Sequence, residues 1–353
     1  MFARDWQSRP RHPRSGEGDA ARPSAPVFRL VVFSAMFLLF PPLVEAQPPV
    51  AAPAAATTPS LPASHPPDIQ QWIAALDSPR YADRERATRR LLDLGREAES
   101  ALTDALRSGS AEVRRRAAFV LRDGQWRRLR AEFAEFASRP DHRLDTEEGM
   151  WLVSRIVDPD AEFLDLRRQL DGLAQRVRAR LPDNPPPRRI DPKLAMRALR
   201  ETLFEDARFA GAVNDYVDPR NSSLASVLKR KRGLPILMAH LTIAVGRRLG
   251  WPLRGIATPG RYLLKYDGAQ APNGFPNDDI VMDAFDGGKI LSADDLQAMF
   301  PGLGLEEMLA GDSDRSALRR MLNNLVYHLE QTGAGETAGL AAECQAMLGD
   351  DPE

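Results

Sequence analysis

Cysteine is almost missing from this chain: one residue, Cys344, among 353. A lone thiol excludes an intrachain disulfide framework. Its place near the C-terminus, with His328 as the nearest histidine, argues against a cysteine nucleophile. Histidine is scarce too. It stands singly at His12, His65, His142, His240 and His328, with neither a close pair nor a Cys-x-x-Cys motif, so zinc has no ligand set. Neither sign of charge is in excess, because 48 Lys and Arg face 49 Asp and Glu. No global field would therefore gather nucleic acid or anionic lipid. Long apolar runs are lacking apart from Leu30 to Phe40, which is roughly half of the ~20 residues that a spanning helix needs. Gly287-Gly288-Lys289-Ile290 lacks the upstream glycine and the Ser or Thr of a phosphate loop, so it reads as a turn.

What is present starts with an arginine-rich stretch, the apolar run, and Val44-Glu45-Ala46 before Gln47. This order predicts a signal peptide over 1–46, cleaved after Ala46, and hence export to a periplasmic or extracellular space. The alternative is an uncleaved N-terminal membrane anchor. Residues 47–67 are almost all Ala, Pro, Thr and Ser. They offer too little apolar surface to offset ordering, and so read as a disordered linker. From Asp68 onward, short helices with 3.6-residue periodicity follow. Val113, Ala117, Val120 and Leu121 share one face, with Arg114 to Arg116 on the other. Arg86-Ala87 followed by Leu91 matches Arg116-Ala117 followed by Leu121, about 30 residues apart. This likeness reads 68–124 as a HEAT- or armadillo-like helical repeat, too short to stand alone.

Helix is expected to continue from Leu129 to Leu181, until Pro182 to Pro187 breaks it. A further helix is expected over Leu194 to Phe204. Asn221-Ser222-Ser223 then caps another, which ends in Lys229-Arg230-Lys231-Arg232-Gly233, basic residues followed by a glycine for a left-handed cap. Pro235 opens a helix to Leu249 that is apolar nearly all round and therefore buried. Strands are expected over Leu253 to Ala257, Tyr262 to Tyr266 and Ile280 to Phe285. Helices before strands give an α+β class, mostly helical.

Five motifs in order now resemble a known family. They are Asn221-Ser222-Ser223-Leu224, Arg232-Gly233-Leu234-Pro235-Ile236, Arg248-Leu249-Gly250-Trp251-Pro252, Thr258-Pro259-Gly260, and Asp283-Ala284-Phe285-Asp286-Gly287-Gly288. Together they are similar to the SirB1-type branch of the transglutaminase-like superfamily, with the resemblance running roughly from Thr146 to Leu348. It implies a papain-like core of helix plus antiparallel sheet over 125–300, with a helical entry segment, followed by a helical tail over 301–353. In active members a cysteine at the start of the buried helix works with a histidine on the next strand and an aspartate beyond it. Here the matching positions hold Pro235, Arg261 and Asp283. Proline carries no nucleophile, and arginine stays protonated and cannot act as a base. The resemblance therefore implies a pseudoenzyme with no catalytic residues. Asp283 facing Arg261 would form a bidentate ion pair in place of the His–Asp hydrogen bond.

His240, five residues past Pro235, does not share its helix face and reads as a core or helix-edge histidine. Asp278, Asp279, Asp283 and Asp286 are close in sequence, yet their spacing demands no acid–base pair. The expectation is a non-catalytic exported binding or scaffold protein, with a protein or peptide partner and neither cofactor, metal nor nucleic acid. The alternative is a hydrolase or acyl-transfer enzyme using a carboxylate-based site in the same cleft.

Overall fold

The computed structural model describes residues 67–349. The expected signal peptide and nearly all of the expected linker lie outside that span. Four helices come first: α1 (Pro67–Ala75), α2 (Tyr81–Leu94), α3 (Arg96–Ala105) and α4 (Ala111–Ala137). They enclose a small core of their own around Leu76, Ala87, Leu91, Leu102 and Val120. Ser110 caps α4, its hydroxyl accepting from the Val113 amide.

The boundary expected between residues 124 and 125 falls within α4, which passes straight through Gly124. An interior glycine costs about 1 kcal/mol against alanine, and the surroundings offset that. Val113, Ala117 and Val120 are buried in the first core, and Leu129, Phe133 and Phe136 in the second. Between them Arg122 and Arg130 cover the Trp126 ring, at 5.0 and 6.0 Å from its centre. Thus the boundary expected after residue 124 lies inside one uninterrupted helix.

The helix expected from Leu129 to Leu181 is three pieces: the end of α4, α5 (Thr146–Val157) and α6 (Phe163–Arg178). Asp145 caps α5, accepting from the Glu147 amide. α7 (Pro192–Arg200) follows and loosens into a π-turn over Glu201–Asp206. A two-residue strand β1 (Ala210–Gly211) pairs in parallel with β2 (Arg232–Gly233), on either side of α8 (Leu224–Arg230). The left-handed residue that ends α8 is Lys231, φ 60°, rather than the expected glycine. Gly233 is free to pair in β2.

Pro235 stands at the first position of α9 (Pro235–Arg247), whose next eleven residues are all buried. It packs on a four-stranded antiparallel sheet ordered β3 (Leu253–Thr258), β4 (Arg261–Tyr266), β5 (Ile280–Asp283) and β6 (Lys289–Leu291). β6 went unforeseen, because its short run follows the two glycines that signal a turn.

The pleat splits the sheet into two faces. Tyr262, Leu264, Tyr266 and Met282 share the main core with α9. Ile256, Leu263, Val281 and Leu291 face the other way, onto α10 (Ala293–Met299) and α11 (Leu305–Met308). α12 (Asp314–Gln331) and α13 (Gly335–Met347) close the main core with Leu318, Leu322, Leu325 and Ala341. Among the described residues no helix is long and apolar enough to cross a membrane.

Candidate functional site

The registered pairs Ile256↔Leu263 in β3–β4 and Leu264↔Met282 in β4–β5 fix where the expected site residues point. Arg261 and Asp283 fall on the face of Leu263 and Val281, by strand alternation. Arg261 Nη1 donates to Asp283 Oδ2 at 2.6 Å. The expected ion pair is present, though through one nitrogen rather than two. The other carboxylate oxygen is taken by the following turn, accepting from the Phe285 amide at 3.0 Å and the Asp286 amide at 3.2 Å. That turn closes through Gly287 and Gly288, both at positive φ. A Cβ on Gly288 would lie 2.6 Å from the Phe204 ring. The Asp283 side chain is only 3% exposed and the Arg261 side chain 43%. A carboxylate whose oxygens already hold a guanidinium and two amides has little capacity left to orient a base.

Pro235 does not join them. It opens α9, and α9 lies against the opposite face of the sheet, where Tyr262 and Leu264 point. Of the three positions assigned by resemblance, the fold brings two together. A second ion pair sits further along the same face of β4: Lys265 Nζ donates to Asp279 Oδ2 at 2.6 Å, while Asp279 Oδ1 accepts from the Gly268 amide. Of the four neighbouring carboxylates, Asp279 is thus engaged by a cation and one backbone amide, and Asp283 by a cation and two.

The α9 face carries a polar chain that the sequence did not reveal. His240 is buried in the core, with Nε2 at 3.0 Å from the Tyr262 hydroxyl. That hydroxyl donates to Asp312 Oδ2 at 2.9 Å. Since the tyrosine proton points at the carboxylate, His240 Nε2 carries the hydrogen and donates to the tyrosine oxygen. Gly255 makes the arrangement possible, because a Cβ there would come within 2.3 Å of the Tyr262 hydroxyl oxygen. Its carbonyl also accepts from the Asp312 amide at 2.8 Å, fixing the loop that delivers the carboxylate. Arg320, on α12, approaches Asp312 to 3.6 Å from the solvent side.

Burial pushes the His240 imidazole down to about 4, with Asp314 opposing and Arg247 assisting. Burial, with Asp312 adding to it, pushes the Tyr262 hydroxyl well above its usual range. The inner end of the chain His240–Tyr262–Asp312 is therefore uncharged near neutral pH. The three members are 3 to 6% exposed, so the chain is sealed from solvent.

Cys344 lies buried on α13, where burial pushes its thiol up to about 12. A thiol held so firmly protonated is a poor nucleophile. Asn221 and Ser223 organise the approach to α9. Asn221 Nδ2 donates to the Asp215 carbonyl and its Oδ1 accepts from Arg230 Nη1, while Ser223 Oγ caps α8 by accepting from the Ser226 amide. Among the described residues no group of three His, Cys, Asp or Glu side chains is placed to hold a metal ion.

Residues 165–323 match the family described as Transglutaminase-like superfamily. A UPF0162 protein of Xylella fastidiosa (strain 9a5c) is 35% identical over 161 residues, covering 42% of this chain and 54% of the relative. Another UPF0162 protein, from Pseudomonas aeruginosa, is 26% identical over 57% of this chain and 70% of its own length. F-box only protein 21 of Mus musculus is 27% identical over 54% of this chain and 33% of its own. The chain spans about half the length, 54%, of the first two curated relatives it matches. No solved structure matches it. The chain thus carries a transglutaminase-like superfamily domain, and over that span it is related to the UPF0162 proteins.

Proposed function

We propose that this chain is a non-catalytic, exported binding or scaffold protein. In this reading its transglutaminase-like domain, of the SirB1 type, has exchanged chemistry for architecture. The observation that carries the proposal is the Arg261–Asp283 ion pair. The aspartate that would orient a catalytic histidine is closed off by a guanidinium and two backbone amides. Two further facts support it. The nucleophile position holds Pro235 at the start of a helix on the other face of the sheet, and the only thiol is buried and protonated. The helices α1 to α4, read as a short repeat of the HEAT or armadillo kind, supply the interaction surface. Export rests on the apolar run and small-residue site before Gln47.

The test is labelling of the purified chain with a fluorophosphonate and with iodoacetamide under native conditions, alongside Asp283→Ala. The expected result is no labelling above that of the heat-denatured control. Stoichiometric labelling that disappears in Asp283→Ala would establish the enzyme reading instead.

A further inference from the structure

A concavity of about 580 Å³ opens on the surface between α1 and α2. Its apolar floor and wall are Trp72, half-buried on α1, and Tyr81, 65% exposed at the start of α2. Its other wall is the solvent face of α2. Arg86, Arg89 and Arg90 project there, opposite Ala87, Thr88 and Leu91, which are buried in the first core.

These three arginines are not equally committed. Arg86 pairs with Asp83 at 3.2 Å. Arg89 and Arg90 are exposed and, among the described residues, form no direct ion pair, although Arg89 lies near enough to Glu85 to help lower its carboxyl. Of the two carboxylates in the lining, Glu85 is held by Arg116, whose side chain is only 13% exposed, at 2.8 Å. Asp93 bonds to neither free arginine. Nearby, Arg84 lies over the Tyr81 ring at 5.6 Å from its centre and pairs with Glu112 at 3.3 Å, which holds the aromatic wall in place.

We propose that this concavity is a docking site for an acidic peptide segment of a partner protein. The segment would lie along α2, with its carboxylates on Arg89 and Arg90 and an apolar residue or proline against Trp72 and Tyr81. The inference rests on reading the chain as a binding protein, and it names the surface and the chemistry of the partner. Charge complementarity selects the occupant. Two unpaired planar guanidiniums favour carboxylates, which they grip through parallel N–H donors. The aromatic pair gives an extended peptide a flat apolar surface. Glu85 and Asp93 within the same lining disfavour a ligand of dense, uniform negative charge such as a polyphosphate or a nucleic acid strand.

The experiment is a fluorescence-polarisation titration of the full chain with a fluorescein-labelled decapeptide of alternating glutamate and proline. The lysine–proline counterpart and inorganic polyphosphate serve as comparators. The expected result is saturable binding of the glutamate peptide alone, weakening as salt rises toward ~1 M, where screening acts over about 3 Å. Arg89→Glu with Arg90→Glu should weaken it at least about tenfold, equivalent to about 1.4 kcal/mol. Tyr81→Ala should weaken it severalfold. All three side chains point to solvent, so each variant should keep the parent melting temperature, measured by circular dichroism.

Any of four results overturns the proposal: no binding of the glutamate peptide up to millimolar concentration, equal affinity for the lysine peptide, tighter binding of polyphosphate, or affinity unchanged by the charge reversal. Chemical labelling and peptide titration are separate readouts. A failed titration leaves the non-catalytic reading standing, and positive labelling leaves the peptide site standing.

Discussion

The two faces of the four-stranded sheet each bury a carboxylate, and they neutralise it in opposite ways. On the face toward α10 and α11, Asp283 meets a full positive charge from Arg261 and two amides from its own turn. On the face under α9, Asp312 meets a tyrosine hydroxyl backed by a buried neutral histidine, with Arg320 only at 3.6 Å. The first is local, built from adjacent strand ends. The second spans α9, β4 and the loop before α12, so it ties distant chain segments together through neutral donors. The lesson is that two polar clusters built around a buried carboxylate can look alike in composition. Exposure and connectivity tell them apart.

Substitutions on the two faces should differ in what they cost. Asp283→Ala removes the acceptor for two turn amides and the partner of Arg261. It should cost about 3 kcal/mol by denaturant unfolding, in the range for breaking a buried hydrogen-bonded charge. Tyr262→Phe deletes one hydroxyl and leaves both His240 and Asp312 without that partner. A loss of about 2 kcal/mol is expected, from stranded buried polar groups. A cost under 0.5 kcal/mol would mean that the His240–Tyr262–Asp312 chain contributes nothing to the fold.

Acid should act on the α9 face through His240. The folded protein resists protonating it until about pH 4, whereas an ordinary histidine takes its proton near 6.5. Between those values the unfolded chain binds more protons. Stability from this group is therefore complete above about pH 6.5 and falls as the pH drops toward 4. The expected loss from pH 7 to pH 5 is on the order of 1 to 2 kcal/mol. His240→Gln should flatten that part of the stability profile. A residual slope is expected from His328, which burial also lowers. An unchanged profile in His240→Gln would overturn the assignment.

The smallest effect should come from Arg261→Ala. Its side chain is 43% exposed, so water can replace much of what it gives Asp283. About 1 kcal/mol is expected once screening is counted. A loss comparable with that of Asp283→Ala would show that the guanidinium, rather than the turn amides, holds the carboxylate.

Much of this layout could be read before any coordinates. Pro235 followed by an unbroken apolar stretch announces a buried helix, because no other element hides residues on every side. The alternation in Arg261 to Tyr266 announces a strand. Arg261 and Asp283 were paired by resemblance, and they do meet. What escaped depended on long-range geometry. Asp312 lies fifty residues beyond Tyr262 on a loop that the Gly255 carbonyl holds from across the sheet edge, and nothing local marks it. Pro235 was grouped with Arg261 and Asp283 because sequence order does not say which side of a pleat a helix will cover. The repeat was bounded at residue 124 because its sequence likeness stops there, and the tertiary support that carries α4 onward from Trp126 and two cores is not visible locally. Lys231 took the left-handed position in place of glycine, leaving Gly233 to the β1–β2 pairing.

Helix α4 has a mechanical consequence. Its 27 residues make a shaft about 40 Å long at 1.5 Å per residue, with one end set in the small helical core and the other in the main one. Arg122 and Arg130 brace it against α13 through Glu336 and Glu343. There is no flexible joint between the two cores along this path. A load applied to α1 and α2 would be transmitted as torque to the main core, instead of being lost in a hinge. The helical segment would then act as a rigid handle, and it should shed its amide protons to exchange in step with the main core.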